Sequence, residues 1–588
     1  GSHVVEEPDI VRRLHDDGFE LGNHTFGHAD LSRIPEWRRA LQLGLTDNAI
    51  AGATGLRTRL VRPPYSATPD AVTPAQASAF RDVEKRGYLV ALSDFDGRDW
   101  ERPGVDAIVR AITPPGREGG IVLLHDGGGD RSQTVAALER AVPRLRARGF
   151  RFVPLSEIAG VTRAQAEPKA SRWEGIRGSM LLGTLEVARF ITDVITFLLL
   201  PIAFLALARI LLLVALARRH VRAARLAERD PSFAPPVSIL VPAYNEAVGI
   251  ERAVRSLAAS EYPDFEIVVV DDGSDDGTGQ LVERLELENV HVIHQPNGGK
   301  HAALNRAVAA ARHDILVTVD ADTVFEPETL RLLVQAFRDE EVGAVSGNTK
   351  VGNRGGLLGR WQHIEYVMGF NLDRRLYDVL RCMPTVPGAI GGFRRAALAD
   401  AGGVSGATLA EDTDLTLAIG RAGWRVVYEE EARAWTEAPG SLSALWRQRY
   451  RWSYGTMQAV WKHKGAITHR DQWRVGRLGI PYLVLFQIAL PLLAPLIDVF
   501  AVYGIVFLDP VPVVGYWLAF NVLQLGIGWY AFRLDRESPR PLWAMPLQQF
   551  VYRQLMYLVV IESVLSAIAG TRIRWQQMER TGDVEVAR

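Results

Sequence analysis

Asp320 and Asp322 stand one residue apart at the end of Ile315-Leu-Val-Thr-Val-Asp-Ala-Asp-Thr-Val-Phe325, an apolar, β-branched run that reads as a buried strand. Two carboxylates on one short turn repel a phosphate. They can instead hold Mg²⁺ or Mn²⁺, hard cations that take oxygen ligands and bridge to the phosphates of a nucleotide. In an open α/β sheet, ligands bind at the carboxyl ends of the strands. Two more apolar runs end in the same way: Pro236-Val-Ser-Ile-Leu-Val-Pro-Ala-Tyr-Asn-Glu246, and Phe265-Glu-Ile-Val-Val-Val-Asp-Asp-Gly-Ser274. One Asp-x-Asp is ordinarily a solvated turn, but three polar strand ends in succession are a site.

A second group of chemical side chains lies near the start. Gly22-Asn-His-Thr-Phe-Gly-His28 places two imidazoles four residues apart, a spacing that suits a zinc-type ion. Arg62-Pro-Pro-Tyr65, the stretch from Asp94 to Asp99-Trp100, and Ile121-Val-Leu-Leu-His-Asp126 follow in order. Together they resemble the polysaccharide deacetylases of the NodB type. The resemblance implies a distorted (β/α) barrel in which His24 and His28 bind Zn²⁺ or another divalent metal and His125 is the general acid. The chemistry is coherent: a metal polarises an acetamide carbonyl and activates water while an acid protonates the leaving amine. The opening Thr-Phe-Asp-Asp-Gly of that family, which carries its base and third metal ligand, is not found. Asp16-Asp17-Gly18 follows an amphipathic helix and does not replace it. This domain is therefore expected to be an incomplete barrel without activity.

The elements that must position Asp320 and Asp322 are strands alternating with helices, hence a parallel, doubly wound sheet. Here the chain resembles the family 2 inverting glycosyltransferases with a GT-A fold, most closely the processive membrane synthases of chitin, hyaluronan, cellulose and poly-N-acetylglucosamine. The resemblance places Tyr244, Glu246 and Asp272 on the uridine. Lys300, in Asn297-Gly-Gly-Lys300, is placed near the nucleotide, and Asp320 and Asp322 on its metal. Leu409-Ala-Glu-Asp-Thr-Asp-Leu415 supplies Asp412 as general base. Gln448-Arg-Tyr-Arg-Trp452 matches the Gln-x-x-Arg-Trp signature, with Gln448, Arg451 and Trp452 on one helical face. Arg451 would stabilise the departing diphosphate, and Gln448 and Trp452 would meet the acceptor sugar. The glycine-rich Pro387-Gly-Ala-Ile-Gly-Gly-Phe-Arg-Arg395 is expected to line the acceptor site, with Gly391 as its contact.

At 588 residues the chain is too long for one domain. Its formal charge of −1 and lack of a basic aromatic stripe exclude a general nucleic-acid binder. Its single cysteine, Cys382, excludes an internal disulfide. Hydrophobic residues make up 48% and concentrate in stretches long enough to cross a bilayer: 194–217, then segments near 479–507, 512–532 and 549–570. Arg218, Arg219, Arg222, Arg225 and Arg229 follow the first span, which orients that end to the cytoplasm. The aromatic, basic run from Trp446 to Trp461 suits a helix lying at the interface.

The expected order is a deacetylase-like domain over 1–160, a linker over 161–185, and a transmembrane helix over 186–218. A GT-A domain follows over 235–470, then a membrane bundle over 478–571 and a tail over 572–588. The whole reads as a multidomain α/β membrane protein of a bacterial plasma membrane, with the transferase domain cytoplasmic and the deacetylase-like domain external. The expected activity is polymerisation of N-acetylglucosamine from UDP-GlcNAc into a β-linked polysaccharide and its export through the bundle. β-1,6 linkage is the first choice and β-1,4 the second. Expected partners are UDP-GlcNAc, the growing polysaccharide and the lipid bilayer, with accessory export proteins left open. A non-processive transferase acting on a lipid carrier and a non-catalytic membrane scaffold are the alternatives.

Overall fold

The computed structural model describes residues 1–66, 68–507 and 510–570; the basic segment 572–575 and the rest of the expected tail lie outside them. The chain divides into two compact units, Gly1–Pro201 and Ile202–Arg588.

In the first unit, two parallel strand pairs form a fragmentary barrel: Leu60–Val61 with Leu89–Val90, and Phe95–Asp96 with Val122–Leu123. Asn23 extends the first pair by a parallel bridge to Val61. Helices Glu36–Thr54 and Pro74–Lys85 cover the first pair, burying Leu43, Phe80 and Val83 against Val61. The incomplete barrel expected from the motifs is what these residues form. The expected linker over 161–185 is not a linker throughout. A short helix occupies Arg163–Ala166, and one continuous helix runs from Arg172 to Leu226. Polar composition hid its first turns, which dock through Gly178 backbone to backbone on Gly52; a Cβ on Gly178 would stand 2.5 Å from the Gly52 nitrogen.

The second unit is built on an eight-stranded sheet. Its strands are β1 (Val237–Ala243), β2 (Phe265–Asp271), β3 (Val290–His294), β4 (Ile315–Thr318), β5 (Val324–Phe325), β6 (Val342–Val351), β7 (Gly391–Arg394) and β8 (Arg425–Thr436). Their order is β3-β2-β1-β4-β7-β6-β8-β5. The first four are parallel, in the register Val237↔Phe265 and Val237↔Ile315. Both faces are covered, so β1 sends Val237, Ile239 and Val241 into one core and Leu240 into the other. That is why these strands read as unbroken apolar runs. Each fully buried Val or Ile contributes about 1.5–3 kcal/mol.

The sheet is doubly wound as expected but mixed, not parallel throughout. β7 runs antiparallel to both β4 and β6, and β5 antiparallel to β8. The strand–helix alternation that enforces parallel crossovers stops after β4. β7 is reached by a long helical excursion through Gly356–Glu365 and Leu372–Leu380, which leaves its direction free.

Four helices among the described residues are long and apolar enough to cross a membrane: Pro201–Leu226, Arg474–Ile505, Pro510–Leu534 and Tyr552–Ala569. The helix bearing Gln448 to Trp452, Leu442–His463, was expected at a membrane interface. It buries Gln448, Arg449 and Tyr450 and packs along Tyr552–Ala569.

Candidate active site

The carboxyl ends of β1, β2 and β4 open into a cavity of about 890 Å³. Tyr244, Glu246, Asp272, Lys300, Asp320, Asp322, Asp412, Gln448, Arg451 and Trp452 all line it. The residues come from more than 200 positions of sequence, and three helices bring them together: α1 (Lys300–Ala310), α3 (Glu411–Arg421) and α4 (Leu442–His463), with α2 (Leu372–Leu380) as the rear wall.

Asp272 is held rigidly at the end of β2. Its carboxylate accepts from the backbone N–H of Gly298 and Gly299, at 2.9 and 2.8 Å, and from Gln295 Nε2 at 2.6 Å. Gly299 has φ of 86°, a left-handed conformation suited to glycine. This turn starts α1 and aims Lys300 across the cavity. There its ammonium lies 2.8 Å from Asp320 Oδ1 and 3.1 Å from Glu411 Oε1. Burial works against the Lys300 charge, but Asp320 and Glu411 more than offset it and raise its pKa. Asp412, on the first turn of α3, accepts from the Thr413 N–H at 2.8 Å. Burial, then the adjacent Glu411 charge, push its carboxyl up to about 6 against the pull of Lys300. A carboxylate poised near neutrality is suited to take a proton from a hydroxyl.

Asp322 is buried and accepts weakly from Thr436 Oγ1 at 3.3 Å. Mg²⁺ needs only one or two protein carboxylates when substrate phosphates complete its shell. Thr323 Oγ1 donates to the same Asp322 oxygen at 3.2 Å, and two carboxylates one residue apart at the strand end are a donor set that fits such an ion.

On the opposite wall, Trp452 meets Phe370 edge to face with ring centroids 5.9 Å apart. The Arg449 guanidinium lies over the Trp452 ring, 4.2 Å from its centroid, and pairs with Glu365, whose carboxylate also accepts from Tyr552 Oη at 2.6 Å. These contacts fix the indole in the cavity wall.

One expected residue is displaced. Gly391 does not reach the cavity: it lies inside the sheet on β7 opposite Thr318, where a Cβ would stand 2.6 Å from Val386 Cγ1. Within the segment 387–395 it is Gly388 that borders the cavity, and a Cβ there would fall 2.7 Å from Lys300 Nζ and 3.0 Å from Asp320 Oδ1. Glycine richness alone did not distinguish the two. Sequence reading also passed over Glu411, Phe370 and Arg374. For Glu411 a signal existed, its position beside Asp412; for the other two none did.

In the first unit, His125 is oriented by Asp99. Its Nδ1 is 2.8 Å from Asp99 Oδ1, its backbone N–H donates to Oδ2 at 3.0 Å, and Thr134 Oγ1 donates to Oδ2 at 2.8 Å. Burial raises the Asp99 pKa, but these hydrogen bonds outweigh it and hold the carboxyl below its usual value. His24 and His28 lie together, ring centroids 4.8 Å apart, with Tyr65 against His28. Thr25, His28 and Tyr65 all have φ near +60°, strain that non-glycine residues keep mainly at functional sites. Burial lowers the His24 pKa to about 4. Its Nε2, however, faces the Arg62 guanidinium at 3.3 Å, and no group of three or more metal-ligating side chains exists among the described residues. The described residues do not make a zinc site.

Residues 238–401 match the family described as Glycosyl transferase family 2, and residues 1–81 match Polysaccharide deacetylase. The two matches fall on separate stretches of the chain, one in each compact unit. Within the glycosyltransferase part it is 31% identical over 222 residues to poly-β-1,6-N-acetyl-D-glucosamine synthase of Staphylococcus aureus, covering 37% of this chain and 54% of the relative. It is 28% identical over 261 residues to the enzyme of the same name from Staphylococcus epidermidis, covering 43% and 61%. The chain thus spans little more than half the length of the curated relatives it matches. Among solved structures, a mannosyltransferase from Pyrobaculum calidifontis in complex with GDP-Man and Mn²⁺ aligns at 21% identity and a TM-score of 0.45. That alignment covers 62% of this chain and 99% of the other.

Proposed function

We propose that the glycosyltransferase domain transfers N-acetylglucosamine from UDP-GlcNAc, with inversion, onto a growing β-linked polysaccharide. The observation that carries this reading is the meeting, in one cavity, of a base near neutrality (Asp412), a cation–carboxylate pair at the strand ends (Lys300–Asp320), and an aromatic platform (Trp452). Inversion is a single in-line displacement. Asp412 takes the proton of the acceptor hydroxyl as that oxygen attacks the anomeric carbon and the bond to the diphosphate breaks. Arg451 neutralises the departing diphosphate, and Trp452 with Phe370 orients the acceptor ring. Mg²⁺ or Mn²⁺ held by Asp322, with Asp320, would supply charge neutralisation for the nucleotide.

The names of the staphylococcal relatives favour a β-1,6 linkage. The four apolar helices support a membrane protein. In this reading it lies in the plasma membrane, makes its polymer processively on the cytoplasmic side and exports it through the bundle. The deacetylase domain would then meet the exported, N-acetylated chain outside. His125, oriented by Asp99, would serve there as the general acid.

The test is polymer formation from labelled UDP-GlcNAc by membranes carrying the wild type or Asp412→Asn, followed by digestion with a β-1,6-specific hexosaminidase or a chitinase. A long product that is absent from the variant and cut by the first enzyme is expected. Transfer of one sugar to lipid would sink the processive reading, and product only from another UDP-sugar would sink the donor.

A further inference from the structure

The rear wall of the cavity carries a cation that neither the motifs nor the mechanism uses. Arg374, on α2, is 9% exposed and lines the cavity. Neighbouring cations each have a carboxylate: Arg375 has Glu430 and Asp535, Lys350 has Asp535 and Glu537, Arg209 has Asp373, and Lys300 has Asp320 and Glu411. Among the described residues Arg374 has none within ion-pair distance, and burial lowers its pKa. Its one side-chain hydrogen bond runs from Nη1 to Asn371 Oδ1 at 3.0 Å.

That bond is set from behind. Asn371 Nδ2 donates to Asp535 Oδ2 at 2.9 Å, so its carbonyl must turn toward Arg374. Asp535 is itself buried, fixed by Lys350 and Arg375 at 2.6 Å each. The guanidinium is thus held in place by a built support, and its remaining N–H groups keep access to the cavity. A guanidinium that is largely buried yet presents N–H groups to a cavity is placed to take a ligand oxygen.

A second incomplete group narrows the ligand. Gln448 Oε1 is buried with no hydrogen-bond donor. Gln448 sits one turn from Trp452 on α4, and Arg374 one turn from Phe370. The Phe370–Trp452 contact brings those two helical faces together. A diphosphate can accept from Arg374 but has no proton for Gln448. A sugar hydroxyl accepts from one and donates to the other.

We propose that Arg374 contacts the acceptor sugar, taking a hydroxyl oxygen of its ring and, with Gln448, orienting it against Asp412. This deepens the synthase reading and rests on it.

The test uses the full chain in detergent, as wild type, Arg374→Ala and Arg374→Lys, with three readouts. These are affinity for UDP, UDP release from UDP-GlcNAc as kcat and KM, and binding of a β-1,6-linked N-acetylglucosamine tetrasaccharide. Arg374→Ala is expected to keep the wild-type UDP affinity and donor KM. It should lose about tenfold to a hundredfold in kcat and in tetrasaccharide affinity, as for a hydrogen bond to a charged group. Arg374→Lys should recover part of both losses. Weakened UDP binding with intact tetrasaccharide binding would assign Arg374 to the diphosphate and overturn the proposal, and so would unchanged kcat and tetrasaccharide affinity. Wild type that binds the tetrasaccharide in an Arg374-dependent way but releases no UDP would refute the synthase reading alone. Wild type that does not bind the tetrasaccharide would overturn the proposal.

Discussion

Arg209, the one charged residue in the apolar stretch 194–217, donates through Nη2 to both carboxylate oxygens of Asp373, at 3.0 and 2.9 Å. Its Nε donates to Tyr482 of a second candidate span at 2.9 Å. Asp373 also lines the cavity, so this pair ties two membrane helices to the wall of the active site. Removing one partner leaves a buried charge uncompensated. Arg209→Leu should cost about 3–5 kcal/mol, and replacing both members by apolar residues should restore most of it. Thermal melts of the single and double variants in detergent would show this, and equal destabilisation by both would contradict it.

Activity should follow the ionisation of Asp412. The base is its carboxylate, and its pKa stands at about 6. The rate should therefore fall as pH drops through about 6 and level off above it. A pH–rate profile flat between pH 5 and 8 would remove Asp412 from the role of base.

Lys300 offsets the repulsion among Asp320, Glu411 and Asp412. In Lys300→Met the Asp412 proton should be held more tightly. The acidic limb of the profile should move to higher pH, alongside weaker donor binding. A loss of rate with an unmoved limb would mean that Lys300 acts on the nucleotide alone.

Two glycines three residues apart should respond differently to alanine. Gly388→Ala crowds Lys300 Nζ and Asp320, both able to shift, so kcat should fall while the melting temperature changes little. Gly391→Ala crowds Val386 and Phe393 inside the sheet and should destabilise by about 1–3 kcal/mol. Parallel melting and turnover measurements separate the two. The reverse pattern would restore Gly391 to the acceptor site.

In the first unit, Asp99→Ala leaves the His125 N–H and the Thr134 hydroxyl without their acceptor, a loss of about 2–5 kcal/mol. The Asp99 pKa is lower folded than its ordinary 3.8. Its contribution is thus present above that value and is lost as pH falls through the folded one. The protection factor of the His125 amide, with the intrinsic pH dependence of exchange divided out, should fall in wild type only in acid. In Asp99→Ala it should be low at neutral pH as well.

The sequence by itself determined what local pattern can encode. Apolar runs ending in Asp272 and Asp320 specified strands and their polar ends, because burial on both faces demands continuous Val and Ile. Gln448 and Trp452 at helical spacing specified one face, and length with hydropathy specified four helices able to cross a membrane. Tertiary structure decided the rest, because the deciding contacts join residues far apart in the chain. Asp535 and Glu537 lie in the segment 533–540, which also carries three arginines. In the fold Asp535 is fully buried on Lys350 and Arg375, and Glu537, half-buried, pairs with Lys350 and His363. The direction of β7 moved Gly391 into the sheet and left Gly388 at the cavity. Arg374 and Arg375 are adjacent and alike in sequence. Only packing gives one of them two carboxylates and turns the other, through Asn371, toward the cavity.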